Sequence, residues 1–375
     1  MGDTRLLFEE YCEYRYIPGM EAELIHADKL RNVSNDFMDR VLMSGDVSYT
    51  DYFYLRAVAF YRFATAEMIA EYLVYFKNYY GAEEYSKLLL PNAFSADVLG
   101  TEEHLDKEVD IIRYRLNRLA RKYFLYSYTV SNEREGKTEY SLIYCINYQS
   151  YKVLRSVFGD TPCFSDEEIG YEKFYCITPI QRMMEGLHAC RVAVLGFRNH
   201  GKRSVLTRDK EMIFGAFKNK LYPTMTAEVT CGETHYRIIV ESIHFAVDER
   251  IVTASEHISN IENLIKKYRR LVHHYNYMEG KRGEDDELWR VRFLLAVENL
   301  EGMNKIVRLM NDEREKFSEK VFFTTDKAIL KSGKLENSIL MAKSVKSRIT
   351  NEVHLGLVKP TRESLLASDN EWVLE

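Results

Sequence analysis

The feature that most constrains the fold is an amphipathic helix leading directly into a β-hairpin between residues 101 and 146. Apolar residues recur every three or four positions from Leu105 to Tyr123, which places them on one face of a helix. A β-favouring run, Phe124 to Val130, follows, and a polar turn separates it from a second strand at 137–146. This order predicts the recognition helix and wing of a winged helix.

The faces of this helix outside the apolar stripe are strongly basic. Their cations are Arg113, Arg115, Arg118, Arg121 and Lys122. Because the whole chain has a net charge of −5, contact with nucleic acid would come from such a local patch. We expect these cations to face base edges or phosphates, with Arg134 and Lys137 of the wing on the backbone. The alternative is a solvated face, since the helix dipole also favours cations near the C-terminus.

Two helices are predicted before the basic helix. Residues 52–63 form an apolar segment, and Thr65 can cap the next helix, 66–76. The irregular stretch from Gly81 to Pro91 then separates them from the basic helix. The resulting order of helix, helix, insert, helix, strand and strand fits a winged helix with a long loop before its recognition helix.

The chain of 375 residues has room for two or three domains. Its second half alternates between helices, one of them expected over 209–221, and apolar strands, which predicts a mixed sheet covered by helices. The fold class is therefore mixed, α+β, with an N-terminal winged helix followed by an α/β domain. The predicted segments are a helical extension (1–50), the winged-helix domain (51–150), a helical connector (151–200), the α/β domain (201–330) and a helical tail (331–375).

A hairpin at 225–243 is the second candidate for chemistry, because it carries acidic residues. If Gly232 and Glu233 form its turn, Glu228 faces Arg237 and Thr224 faces Glu241. One interpretation is a nuclease that holds Mg²⁺ with Glu228 and Glu241. The other is a cross-strand ion pair beside a surface acid. The position of the usual nuclease lysine, two residues after Glu241, is occupied by isoleucine.

Other patterns exclude several classes of protein. The six cysteines form no C-x-x-C pair and match no zinc spacing, so we expect reduced, mostly buried thiols and no metal ligands. The N-terminus does not resemble a signal peptide, and no apolar window is long enough for a membrane span. A cytoplasmic protein without membrane contacts is expected. The long helix 255–277 carries further cations, which suggest a second basic surface or a solvated face.

The layout resembles the replication-relaxation family of plasmids and conjugative elements. The matching parts are the winged helix, Tyr52 to Ile146, the run Arg237-Ile-Ile-Val-Glu241, the basic run 266–270 and the strands 290–297 and 321–325. The resemblance implies a winged helix fused to a restriction-endonuclease-like domain. Where the family often offers Pro-Asp and Glu-x-Asp, this chain has Pro223-Thr224 and Glu241-Ser242-Ile243, so only Glu241 survives. The resemblance therefore implies a nuclease-like domain that has lost catalysis.

The leading hypothesis is a DNA-binding protein of a mobile genetic element that acts in plasmid replication or conjugative transfer by positioning rather than catalysis. Its partners would be double-stranded DNA and replication or conjugation proteins, with no cofactor; the oligomeric state stays open, a homo-oligomer included. One alternative is a divergent metal-dependent nuclease with Mg²⁺ at Glu228 and Glu241. The other is a protein-interaction scaffold that uses its winged helix to bind protein.

Overall fold

The structure is a computed structural model of the chain. It describes residues 4–18, 20–25, 40, 43–44, 47–80, 102–134, 137–146, 150, 180–200, 203–208, 212–214, 219–231, 234–247, 249, 252–279, 289–310, 320–346 and 353–360. The chain divides into two compact units. The winged-helix unit comprises residues 19–183 and 198–202, and the α/β unit comprises residues 1–18, 184–197 and 203–375.

The winged-helix unit has the predicted order of three helices and a hairpin. Its elements are β1 (Glu21–Ile25), α1 (Tyr49–Tyr61), β2 (Phe63–Ala64), α2 (Ala66–Tyr80), α3 (Glu102–Arg121), β3 (Leu125–Arg134) and β4 (Lys137–Ile146). The sheet order is β1-β3-β4-β2, with every pair antiparallel. The prediction of a helix followed by a hairpin over 101–146 is confirmed.

The core of the winged-helix unit forms where the predicted apolar stripe of α3 meets α1 and α2. Ile112, Leu116 and Leu119 of α3 are fully buried. The helix ends where Tyr123 adopts a φ of 65°, a left-handed conformation that few side chains favour, and the chain then turns into β3. The stripe therefore fixes which side of α3 faces inward, and the charged sides are left to contact α1, α2 or solvent.

The α/β unit is built on one seven-stranded mixed sheet. Its elements are α4 (Ile180–Phe197, which enters this unit at 184), β5 (Ser204–Arg208), β6 (Met212–Phe214), β7 (Asn219–Leu221), β8 (Met225–Cys231), β9 (Thr234–Ile243), α5 (Ala254–Glu279), β10 (Trp289–Val297), α6 (Leu300–Met310), β11 (Val321–Thr324), α7 (Asp326–Ser332), β12 (Leu340–Lys346) and β13 (Val353–Val358). The strand order is β13-β12-β11-β10-β9-β8-β5. Neighbours among β9, β10 and β11 are parallel and the other pairs are antiparallel. The predicted mixed sheet is confirmed.

Several predicted segments are wrong. The helical tail is instead the strand pair β12 and β13, because the apolar run from Ile339 to Ala342 completes the sheet beside β11. The helix expected over 209–221 is the short hairpin of β6 and β7. The N-terminal extension is not helical at 21–25, where it forms β1, and residues 4–18 pack in the α/β unit. Helical propensity in these segments is overridden by pairing with neighbouring strands.

Both faces of the central sheet are covered. One face packs Ile239 and Phe293 against Ile265 of α5 and residues of α6. On the other face, His188 of α4 contacts Ser242 of β9. The interpretation of Glu241 as a surface acid is therefore wrong, because residues on both faces are buried near the end of β9. No described helix has the length and apolar character that a membrane crossing requires.

Candidate functional site

The basic faces of α3 contact the neighbouring helices of the winged-helix unit. Arg115 Nη1 lies 3.1 Å from Asp51 Oδ1, and Arg118 Nη2 lies 3.0 Å from Asp51 Oδ2. Asp51 is fully buried. It also belongs to the capping box at the start of α1, where its carboxylate accepts from the Ser48 backbone N–H at 2.8 Å. Two arginines of α3 therefore hold the N-terminus of α1.

Arg113 is engaged in the same way with α2. Its guanidinium lies 2.6 Å from a carboxylate oxygen of Glu67 and 2.7 Å from Asp110 of its own helix. Of the five predicted cations of α3, Arg113, Arg115 and Arg118 therefore form ion pairs within the winged-helix unit. Long side chains beside an apolar stripe reach the neighbouring helices, and there they meet carboxylates before they meet solvent.

The remaining predicted residues lie farther along α3 and on the hairpin. Arg121 is exposed and Lys122 is half-buried. Arg134 and Lys137 are register partners at the end of the β3–β4 hairpin, and their side chains are outside the described residues. Two tyrosines add aromatic surface to the same elements: Tyr114 of α3 is 71% exposed and Tyr140 of β4 is 68% exposed.

The predicted register of the 225–243 hairpin is confirmed. Glu228 pairs with Arg237, whose Nε and Nη2 lie 2.9 and 2.7 Å from Glu228 Oε1. Glu241 accepts hydrogen bonds from the Thr224 backbone N–H at 2.9 Å and from the Thr224 hydroxyl at 2.6 Å. The Tyr268 hydroxyl of α5 donates a further hydrogen bond to Glu241. Each carboxylate is thus held by donors of its own unit.

The same register separates the two acids. The residue opposite Glu228 is Arg237, four positions before Glu241 on β9. Four residues of a strand span about 13 Å, whereas a magnesium ion holds its oxygen ligands at about 2 Å. Glu228 and Glu241 do not converge on one ion position.

A different polar cluster lies at the carboxyl ends of the parallel strands. His244 follows β9, Glu298 follows β10 and Asp326 follows Thr325 after β11. All three side chains are buried. The carboxyl edge of parallel strands is where open α/β sheets place their ligand sites. The cluster therefore lies where a ligand site is expected in this fold.

The N-terminal segment, residues 10–17, crosses this edge and contacts each of the three strands. The Cys12 N–H donates to the Glu298 carbonyl at 2.8 Å. The Glu13 N–H donates to the Asp326 carboxylate at 3.3 Å, and the Tyr16 N–H donates to His244 Nδ1 at 3.4 Å. These bonds bring the buried thiol of Cys12 to the cluster.

Helix α4 supplies the remaining members. His188 Nδ1 lies 3.0 Å from Ser242 Oγ and 3.2 Å from His244 Nε2. His188 Nε2 lies 3.8 Å from Asp326 Oδ1 and has no hydrogen-bond partner among the described residues. Arg191 Nη1 donates to Asp326 Oδ2 at 3.1 Å, so the carboxylate is fixed in place.

Burial sets the protonation of the cluster. It lowers the pKa of His188 to about 3, helped by the nearby Arg191 charge, and lowers the pKa of His244 well below its usual range. Burial, together with the carboxylates of Asp326 and Glu298, raises the pKa of the Cys12 thiol. Both imidazoles are therefore neutral, which is the form that binds metal ions. A buried, protonated thiol is a poor nucleophile, so the arrangement does not suit cysteine catalysis.

The cluster leaves no local signature in the sequence, because its members are scattered along the chain. Cys12, His188 and His244 lie in three separate segments, and no short spacing motif connects them. The available signal was positional: His244 and Asp326 each come just after a strongly apolar strand, where polar side chains of parallel strands meet. The strands were predicted, but their parallel pairing was not.

Helix α5 presents a second basic surface. Lys266, Lys267, Arg270 and His273 are exposed along its C-terminal half.

No protein-family model, curated protein or solved structure matches the chain.

Proposed function

We propose that the protein binds double-stranded DNA through its winged-helix unit, by positioning rather than catalysis. The observation that carries the proposal is the order of α3 and the β3–β4 hairpin on a three-helix core, the arrangement that places a helix in the major groove and a wing beside it. A role in plasmid replication or conjugative transfer, with partners from those processes, rests on the family resemblance alone.

The positions of the predicted cations divide them into two groups. Arg113 and Arg115 stabilise the packing of α3, whereas we assign Arg121 and Lys122, at the end of α3, and the hairpin residues Arg134 and Lys137 to phosphates. Arg118 shares the Asp51 carboxylate with Arg115 and lies with Arg121 in the last turn of α3. Phosphate contacts of this kind fix the orientation of a protein on duplex DNA.

The exposed surface of α5 supports the same function for the α/β unit. Its cations form a positive stripe in a chain that is acidic overall. A polyanion would be attracted to this stripe and repelled by much of the remaining surface. We assign the stripe to sequence-independent contact with the DNA backbone.

A nuclease activity is not favoured. Glu228 is neutralised by Arg237, and Glu241 already accepts three hydrogen bonds within its unit. A cation at either position would have to displace these donors. The protein-interaction scaffold is favoured by one observation, the exposed aromatic surface of Tyr114 and Tyr140 on the recognition helix and wing.

A binding titration with a fluorescent duplex at several salt concentrations tests the proposal. We expect the logarithm of the association constant to fall linearly with the logarithm of the salt concentration. Changing Arg121 and Lys122 together to alanine should reduce the slope by about 2, one unit for each lost phosphate contact. Lys305→Ala, which removes an exposed cation of α6, is the matched control and should leave the slope unchanged.

Two results would contradict the proposal that the winged-helix unit binds DNA through Arg121 and Lys122. One is an absence of association at low salt with the wild-type chain. The other is an equal loss for the control and for the double variant. A wild-type chain that does not bind DNA but still captures a replication or conjugation protein would favour the scaffold. In that case Tyr114→Ala should abolish the capture.

A further inference from the structure

We propose that Cys12, His188 and His244 together hold one divalent transition-metal ion of the zinc class. Each residue offers one ligand atom, and the three atoms lie within 4.8 Å of one another. All three side chains are buried. A thiolate with two imidazoles is a donor set that selects zinc over magnesium or calcium.

The spacing of the two histidines fits a shared ion. His188 Nδ1 and His244 Nε2 are 3.2 Å apart. Two nitrogens bound to one tetrahedral ion by bonds of about 2.0–2.1 Å lie roughly 3.3 Å apart. The thiol completes a set whose three ligand atoms lie within 4.8 Å of one another.

The contacts of His188 carry the proposal further. A neutral imidazole that binds a metal through Nδ1 keeps its proton on Nε2, and metal-bound histidines donate that proton to a carboxylate or carbonyl. His188 Nε2 is buried without a hydrogen-bond partner among the described residues, and Asp326 Oδ1 lies 3.8 Å away. Arg191, the Lys327 N–H and the Glu13 N–H orient that carboxylate. The unpaired nitrogen thus faces the group that metal binding would require.

Binding of the ion would remove the proton of the Cys12 thiol and fix the position of the proton on the His244 ring. The Cys12 thiol releases its proton to solvent as the sulfur–metal bond forms, so affinity should weaken as the pH falls. His244 bound through Nε2 carries its proton on Nδ1, where it faces the Tyr16 N–H at 3.4 Å. Residues 12–17 should therefore shift slightly when the ion binds.

The ion would act structurally. Cys12 belongs to the N-terminal segment, and the histidines belong to α4 and to the end of β9. One ion therefore fastens three separate segments of the α/β unit at the carboxyl edge of its sheet. A buried site that joins distant segments contributes its binding free energy to folding.

The metal content of the purified full-length protein tests the proposal without DNA, so its outcome is independent of the proposed function. After incubation with zinc and removal of excess ion, we expect about one ion per chain. Cys12→Ala should lose the ion, whereas Cys190→Ala, which removes another fully buried thiol of the same unit, should retain it.

Cobalt substitution of the wild-type chain gives a second readout if the Cys12 variant fails to fold. We expect the absorption of a thiolate-bound tetrahedral cobalt ion, and its loss at acid pH. A wild-type chain that takes up no zinc overturns the proposal. So does a cobalt spectrum without thiolate charge transfer, or an equal loss of metal in both cysteine variants.

Discussion

At the scale of single residues, buried carboxylates among the described residues connect separate elements. Asp51 is the clearest example, since one buried carboxylate accepts from Ser48, Arg115 and Arg118. Such a group is costly to bury, but more costly to remove once its partners are fixed around it. The charges of Arg115 and Arg118 on α3 therefore stabilise the packing of α3 against α1.

Asp51→Ala should destabilise the winged-helix unit. It removes the capping box and leaves the Arg115 and Arg118 charges without their shared partner. Because the two arginines are partly exposed and screened by solvent, we expect a loss of about 2–3 kcal/mol rather than the full cost of a buried charge. Hydrogen exchange of α1 and α3 amides measures it. The control is Asp110→Ala, an exposed carboxylate; an equal effect of both changes would contradict the assigned role.

The stability of the winged-helix unit should fall as the pH rises toward neutrality. Burial raises the pKa of Glu108 on α3 to about 7, from an ordinary value of 4.5. The native state then binds more protons than the unfolded chain between these values, so the contribution is present below pH 4.5 and is lost as the pH rises through 7. We expect a decrease of about 1–2 kcal/mol after allowance for solvent screening.

Glu108→Gln should remove this pH dependence of stability, whereas Asp110→Asn on the same helix should retain it. Urea unfolding monitored by hydrogen exchange of α3 amides, at pH 4.5 and pH 8, gives the comparison. A Glu108→Gln variant with the same pH dependence as the wild type would show that another group titrates.

At the scale of elements, β9 has a central position in the sheet of the α/β unit. It is antiparallel to β8 and parallel to β10, and it is covered on both faces. Alternate residues of β9 therefore point into two different cores, which explains why Glu241 is buried and Ser242 meets α4. The strand carries Glu241 on one face and leads directly to His244.

Glu241→Ala should destabilise the α/β unit, because it leaves the Tyr268 hydroxyl and the Thr224 N–H without an acceptor. We expect a loss of about 2–3 kcal/mol, and a smaller one for Glu241→Gln, which retains an acceptor oxygen. Thermal unfolding ranks the two variants.

Incubated with supercoiled plasmid and Mg²⁺, the wild type should produce no nicks. Metal-dependent nicking that Glu241→Ala abolishes would reveal a working nuclease.

At the scale of the whole molecule, the chain returns to its first residues to complete the α/β unit. The N-terminal segment supplies backbone donors to Glu298, Asp326 and His244, and residues 1–18 belong to the same unit as the C-terminal strands. Without this segment, the Glu298 carbonyl, the Asp326 carboxylate and His244 Nδ1 would each lose one hydrogen-bond donor.

Deletion of residues 1–18 should therefore destabilise the α/β unit rather than trim an extension. We expect faster hydrogen exchange at the ends of β9, β10 and β11, since three hydrogen bonds from the segment's backbone and a buried thiol are lost. Lys331→Ala, which breaks only the surface pair with Glu10, is the control. Unchanged exchange in the deletion variant would show that the edge is stable by itself.

The sequence alone determined the local features of both units. The apolar stripe of α3 and the β3–β4 hairpin followed from periodicity, and the pairing of Glu228 with Arg237 followed from one turn position. These features depend on residues close in the chain, where side-chain spacing and turn geometry leave few alternatives.

Only the tertiary structure decided what the charged and polar residues contact. Arg115 and Asp51 are 64 positions apart, and Cys12, His188 and His244 come from three segments that the parallel strands and α4 bring together. Periodicity assigns a residue to a face but not to a partner, because the partner depends on which elements pack there. That is why the ion pairs of Arg113, Arg115 and Arg118 within the winged-helix unit, and the histidine–cysteine cluster, could not be predicted from the sequence.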